Sequence, residues 1–282
     1  CAKRPGRLIG PPFMPPETAS PEQPSPVRFR GGGFTTSPKL WVSGLGLVGV
    51  LLLVEWGTQA GWISALTLPK PSDVALTLLE LAESGLLWKH LEVSLVRLCV
   101  GAALGIGFGV AVGVLIGLFS MVRAGLLPLV AAIFPIPKIA LLPLFVIWFG
   151  IDEGSKYALI AFGTFTPMVV ATYSAVDNVE RNLIRMGQSF GLRWHSIVWK
   201  IVVPGAMPGI LSGTRIAMAI AIILLVAAEM LGAEYGIGAY VLEAGSLYDL
   251  DRLFAGVLIL SALGLLTSGL IAKAEQVVLR WR

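Results

Sequence analysis

The chain runs to 282 residues, of which 56% are hydrophobic and only 13% charged, with a net charge of +4 and a mean hydropathy of +0.82. Soluble domains carry about a quarter charged residues, so half that share excludes an ordinary soluble domain and makes a bilayer the expected solvent. Two Cys (Cys1, Cys99) and two His (His90, His195) give no basis for a disulfide framework or a metal cluster.

Residues 1–39 hold nine of the eighteen prolines and the run Gly31-Gly32-Gly33, with almost no apolar periodicity. That composition cannot repay the entropy of ordering, so a disordered cytoplasmic tail is expected. It lacks the apolar core of a signal peptide. Residues 40–282 read as one all-α polytopic membrane domain. At about 20 residues per span, hydropathy gives six candidates, near 40–56, 93–119, 124–149, 157–175, 208–231 and 253–272. The first is short, and the third is interrupted by Pro128, Pro135, Pro137 and Pro143. Residues 57–92, with Asp73, Glu80, Glu83 and Lys89, are polar enough to lie outside the membrane.

Charge sets the orientation. With the N-terminus inside, loops 1–39, 120–123, 176–207 and 273–282 carry fourteen Lys and Arg, against four (Lys70, Lys89, Lys156, Arg252) on the other side. Positive loops stay in the cytoplasm, so both termini are expected inside, with the chain in the plasma (inner) membrane. This alternation also accounts for the positive charge, and no basic stripe with interleaved aromatics signals nucleic acid.

Along the second span Gly101, Gly105, Gly109, Gly113 and Gly117 recur every four residues. They line one helix face and admit a close neighbour, within a subunit or between subunits. The letters "GLGLVG" (Gly44–Gly49) match a dinucleotide fingerprint. They lie inside an apolar span with no preceding strand, so no nucleotide site is expected there. No phosphate-binding G-x-x-x-x-G-K-[ST] loop occurs, so if ATP drives this protein another polypeptide binds it.

Among the charged residues inside candidate spans, the candidate pathway residues are Arg97, Lys138, Arg215 and Glu229. Arg97 and Glu229 both lie near the outer ends of their spans, where they either pair or are solvated separately. Arg215 is close enough to the cytoplasm to snorkel. Lys138 follows Pro135-Ile136-Pro137, and either lines a cavity at a broken span or sits in a surface turn. On a cavity wall it would suit an anionic solute.

The cytoplasmic loop 176–207 is the most informative stretch. Asp177 or Asn178 is placed to cap a helix start. Leu183, Ile184, Met186 and Phe190 fall near helical spacing, and Gly191 is a stop signal. A second helix is expected from Trp194 to Val203, closed by Pro204. Such a pair either rests on lipid headgroups through Trp194, Trp199, Arg193 and Lys200, or docks a cytoplasmic partner.

The spacing Gly191, nine residues, Ile201, one residue, Val203-Pro204 resembles the loop motif E-A-A-x-x-x-G-x9-I-x-L-P of ABC importer permeases. "PLFVIWFGIDEGSK" (Pro143–Lys156) and "AAEMLGAEYGIGAYV" (Ala227–Val241) resemble the branch serving aliphatic sulfonates, taurine, nitrate and bicarbonate. The resemblance covers about residues 66–280. The E-A-A triplet falls on Arg185, Met186 and Gly187, so a base replaces the family's acid.

What the resemblance implies is a permease subunit without bound cofactor, standing beside a second copy of itself. Two separate ATPase subunits would take up the loop through residues 185–187, Gly191, Ile201 and Pro204. An external binding protein would deliver a small oxyanion, with an aliphatic sulfonate first among the candidates and taurine, nitrate, bicarbonate or a vitamin precursor behind. The competing classes have less support. An intramembrane enzyme would need a nucleophile–base pair or metal ligands, and no His lies in a candidate span. A channel or secondary transporter would predict inverted repeats, which do not appear, and would leave the loop unused.

Overall fold

The structure is a computed structural model that describes residues 40–64 and 67–280; the tail expected over 1–39 lies outside the described residues. Among the described residues the chain is helical throughout: α1 (Leu40–Gln59), α2 (Pro71–Glu83), α3 (Leu86–Leu118), α4 (Ser120–Ile133), a 3-10 turn (Lys138–Leu141), α5 (Leu142–Phe149), α6 (Glu153–Asp177), α7 (Arg181–Ser189), α8 (Trp194–Ile197), a π-turn (Val198–Val202), α9 (Val203–Met230), α10 (Ile237–Ser246) and α11 (Leu250–Val278). The chain divides between Val48 and Gly49 into two units. The described part of the first is the apolar opening of α1, and everything below concerns the second.

Among the described residues four helices are long and apolar enough to cross a membrane: Leu86–Leu118, Glu153–Asp177, the continuous 37-residue rod Trp194–Met230, and Leu250–Val278. The expected third span is not one helix. Ser120–Ile133 and Lys138–Phe149 meet at 89°. The bend falls at Pro135 and Pro137, where missing N–H donors stop the helix. The expected first span forms the apolar helix α1, Leu40–Gln59. Its end is tied to α2 because the Glu55 carboxylate accepts hydrogen bonds from the Ser72 amide (3.1 Å) and hydroxyl (2.9 Å). Over the segment expected outside the membrane, 57–92, lie α2 and the first turns of α3, which begins at Leu86.

Helix α6 forms the middle of the bundle, and small residues set its contacts. A Cβ on Gly101, Gly109, Gly113 or Gly117 would come within 2.5–2.7 Å of Ile160, Met168, Thr172 or Val176 in turn, and one on Gly105 would collide with Thr164 and the Ala161 carbonyl. The two ladders climb together in steps of four, so α3 and α6 run parallel with backbones close. The α9 face is antiparallel: Leu224 lies against Gly163, Gly213 against Ala171, Gly209 against Ala175 and Gly205 against Val179. In a bilayer there is no hydrophobic drive between helices, so this fit of small residues carries the association. The glycine stripe therefore works within the subunit.

Apolar clusters complete the packing, one of them joining Ile116, Val130 and Val169 across α3, α4 and α6. Another joins Leu98, Leu142, Phe145, Leu159, Ile160 and Leu225 across α3, α5, α6 and α9. A third joins Val176, Val179, Ile197, Val202 and Ala206 beneath the α7–α8 loop. Long apolar side chains are left outward on α5 and α11, among them Ile147, Leu265 and Leu270. In lipid this is the favoured arrangement.

Candidate coupling loop and outer charge cluster

The α7–α8 loop is built around Gly191. Its φ of +71° lies in the left-handed region, where a Cβ is unfavourable. The Gly191 amide donates to the Gln188 carbonyl (2.9 Å) and the Leu192 amide to the Gly187 carbonyl (3.1 Å). That pair of bonds is a Schellman cap, with glycine where the motif needs it. The start of α7 differs from expectation. Asp177 and Asn178 finish α6, with Asn178 as its C-cap, and Glu180 stands at the α7 N-cap position. Asp177 instead pairs with Arg123 (2.8 Å), whose guanidinium also donates to the Ile116 and Gly117 carbonyls at the end of α3.

Packing sorts the loop into two faces. Gly187 is buried, and a Cβ there would lie 2.9 Å from Ile201 Cδ1. Arg185 is exposed, Met186 is 55% exposed and Phe190 80% exposed. Trp194 (56%) and Trp199 (71%) are also open. Pro204 does not close the second helix as expected. It sits in the first turn of α9, where a missing N–H is tolerated, and the helix runs on from Trp194 to Met230.

The four candidate pathway residues are not brought to one place. Arg97 and Glu229 do pair, at 3.0 Å, with side-chain exposures of 4% and 0%. Arg97 also grips Glu153 through Nε (2.6 Å) and Nη2 (2.5 Å), and donates from Nη1 to the Tyr235 carbonyl (2.6 Å). Glu229 accepts from Ser94 Oγ (2.7 Å) and the Gly238 amide (2.8 Å). The Ile237 amide donates to Ser94 Oγ (2.9 Å), and the His90 ring meets the Gly236 backbone. A buried ion pair is retained at a profit only when its remaining donors and acceptors are satisfied, and here they are. The cluster pins the ends of α3, α6 and α9 and the start of α10 together.

Arg215 lies elsewhere and pairs with Glu275 of α11 (2.8 Å), both partly exposed. Lys138 sits at the α4–α5 bend, where its ammonium donates to the Phe134 carbonyl left free by the end of α4. Its stem lies beside Gly163 of α6.

Sequence reasoning missed His90, Ser94, Glu153 and Lys156. His90, Ser94 and Arg97 share one face of α3 and extend the glycine stripe outward at i, i+4, i+7, which was the available signal. Lys156 counts among outer-loop charges in the sequence, yet it is 4% exposed on α6, bonded to the Ile151 carbonyl (3.0 Å) and 3.5 Å from Glu153.

Helices long and apolar enough to cross a membrane, a capped loop at one end and a charge cluster at the other describe a polytopic helical membrane protein. The comparisons agree. Residues 105–278 match the family described as binding-protein-dependent transport system inner membrane component, and the chain belongs to that family. It is 34% identical to the putative aliphatic sulfonates transport permease protein SsuC of Bacillus subtilis (strain 168), over 95% of each chain. It is 37% identical to the taurine transport system permease protein TauC of Escherichia coli (strain K12), over 79% of this chain and 83% of that one. The formylaminopyrimidine transport permease protein ThiX of Halalkalibacterium halodurans is 33% identical over 83% of this chain and 93% of its own. The fold matches a chain of the inward-facing MetNI methionine ABC transporter with a TM-score of 0.61 at 20% identity, covering 70% of this chain and 98% of that one. The protein is thus the membrane-spanning subunit of an ABC importer, a class that works with an ATPase and a substrate-binding protein.

Proposed function

We propose that this subunit forms the translocation path for a small oxyanion, an aliphatic sulfonate first, delivered by an external binding protein. The reading rests on the relatives named for sulfonates and taurine, which match over most of the chain. Two copies stand side by side, both termini face the cytoplasm, and each copy hands its α7–α8 loop to one ATPase. The single observation that carries the coupling role is the rigid, Schellman-capped loop with Met186 and Phe190 exposed on its outer face. A rigid apolar knob can transmit force, whereas a floppy loop cannot. Arg185, where the family motif has Glu, is also exposed and adds a positive charge to this loop.

ATP on the ATPases and the loaded binding protein each prefer one state of the bundle and so bias it. The ATP stays on those partners, and this chain's part is mechanical. Lys138 and the Arg97 cluster serve different ends: Lys138 caps the bend, and Arg97 locks the outer helix ends. Selectivity then lies mainly with the binding protein, consistent with 33% identity to a permease named for an unrelated pyrimidine.

The test is uptake by cells carrying the intact transporter with its own binding protein. Uptake of an alkanesulfonate that an excess of unlabelled sulfonate abolishes, and nitrate or bicarbonate does not, supports the assignment. Uptake of nitrate or of a pyrimidine precursor in place of the sulfonate overturns it.

A further inference from the structure

The joint between the docking loop and the membrane rod has an unusual backbone. Residues Val198–Val202 form a π-turn inside the otherwise continuous helix Trp194–Met230, and the Val203 amide donates to the Val198 carbonyl five residues back. A π-turn holds one residue more than the α-helix around it, and such turns cluster at functional sites. Its cause can be read from the sequence. Pro204 has no N–H to give the Lys200 carbonyl, and Pro208, inside α9, has none for the Pro204 carbonyl. Regular α-helical bonding is thus interrupted twice within one short stretch.

The placement matters more than the irregularity. Ile201, in the π-turn, is the residue against which Gly187 of α7 is packed. Just beyond it, Gly205, Gly209 and Gly213 seat α9 tightly on α6, and at the far end Glu229 is clamped by Arg97, Ser94 and the Gly238 amide. The rod is therefore fixed along α6 and at its outer end, while the loop is attached through the π-turn. Trp199 and Lys200 in that segment are exposed, whereas Val198 and Val202 are buried, so a change of register there carries two apolar side chains across the cluster beneath the loop.

We propose that the π-turn Val198–Val202 with Pro204 is a register hinge, at which the docking loop turns against α9 as the extra residue is taken up into the α-helix or released from it. The inference rests on the reading of the α7–α8 loop as the ATPase contact. A one-residue shift turns the flanking helix by about 100° and slides it by about 1.5 Å. The loop can follow the ATPase without unwinding a span whose other bonds have no water to replace them. The hinge also explains why Pro204 is placed in a helix that does not end there.

The experiment uses the complete transporter with its ATPase and binding protein, reconstituted in lipid. Deleting Lys200 removes the extra residue, so that Trp194–Met230 can keep one α-helical register, lacking only the two bonds that Pro204 and Pro208 cannot donate. Pro204→Ala is the milder variant, returning a donor to the Lys200 carbonyl. Two readings are taken: solute moved per ATP hydrolysed, and hydrogen exchange in the peptide covering residues 196–206, with and without a non-hydrolysable ATP analogue. In the parent protein, exchange in this peptide is expected to change with nucleotide. In the variants it stays slow in both conditions, ATP hydrolysis persists, and solute moved per ATP falls by about tenfold, within the usual range for coupled sites. Parental coupling with parental exchange in Pro204→Ala overturns the hinge, whether or not the deletion assembles. If the ATPase fails to copurify even with the parent protein, the docking reading fails instead, and the two failures are told apart.

Discussion

Arg97 shows most plainly how one residue organises this protein. It lies within a membrane-crossing helix, is 3% exposed, and holds two carboxylates and a backbone carbonyl at once. Removing one partner of a buried pair leaves an uncompensated charge, which costs about 3–5 kcal/mol. Arg97→Met is therefore expected to lower thermal stability in detergent sharply, and Glu229→Gln added to it is expected to restore part of the loss. A double-mutant cycle on Arg97 and Glu229 reads this coupling directly. Additive effects, or a single-variant cost no larger than that of an exposed substitution, would show the pair to be incidental. Arg215 provides the contrast. Its pair with Glu275 is partly exposed on both sides, so Arg215→Ala is expected to change stability by no more than about 1 kcal/mol.

The elements were legible in the sequence to the extent that one side of a helix spoke for itself. The glycine stripe 101–117 announced a close helix contact because its spacing of four is a property of α3 alone. Which helix filled it could not be read, because Ile160, Thr164, Met168, Thr172 and Val176 look like any apolar span. A paired substitution tests the geometry at this scale. Gly105→Ala forces a methyl into Thr164 and the Ala161 backbone, which cannot yield, whereas nothing lies within 4 Å of a Cβ at Gly107 on the same helix. Gly107→Ala is expected to be neutral or mildly stabilising through helix propensity, by up to about 1 kcal/mol. Gly105→Ala is expected to destabilise by at least as much as other overpacked sites, about 1–3 kcal/mol. Thermal unfolding of the two proteins side by side checks the difference, and equal midpoints would contradict the packing described. The bend between α4 and α5 was less legible. Prolines marked an interruption, yet hydropathy read the pieces as one span because it carries no direction. Pro204 misled for a related reason: proline ends a helix from inside but begins one equally well, and only the following residues decide which.

At the scale of the whole molecule, the account separates two ends. One end is locked by Arg97, Glu153, Glu229, Ser94 and His90, which fasten four helix termini. The other presents a capped loop joined to α9 by an irregular turn. The division was half visible beforehand, since the loop motif, with Gly191, Ile201 and Pro204 at family spacing, could be read along the chain. The outer cluster could not, because its members come from residues 90–97, 153–156 and 229–238, which only the fold brings together. Arg185 in place of the family's acid was plain from the sequence, and the structure adds that it lies on the exposed side beside Met186. The central claim is that this exposed side is where the driving ATPase sits. The most direct measurement is copurification of the tagged subunit with its ATPase in mild detergent, comparing the parent protein with Met186→Asp/Phe190→Asp. Both side chains are more than half exposed, so the fold should survive the change. Stoichiometric ATPase with the parent protein and its loss from a variant of unchanged thermal stability is the predicted result. Equal recovery of the ATPase with both proteins, or its absence from both, would contradict the account.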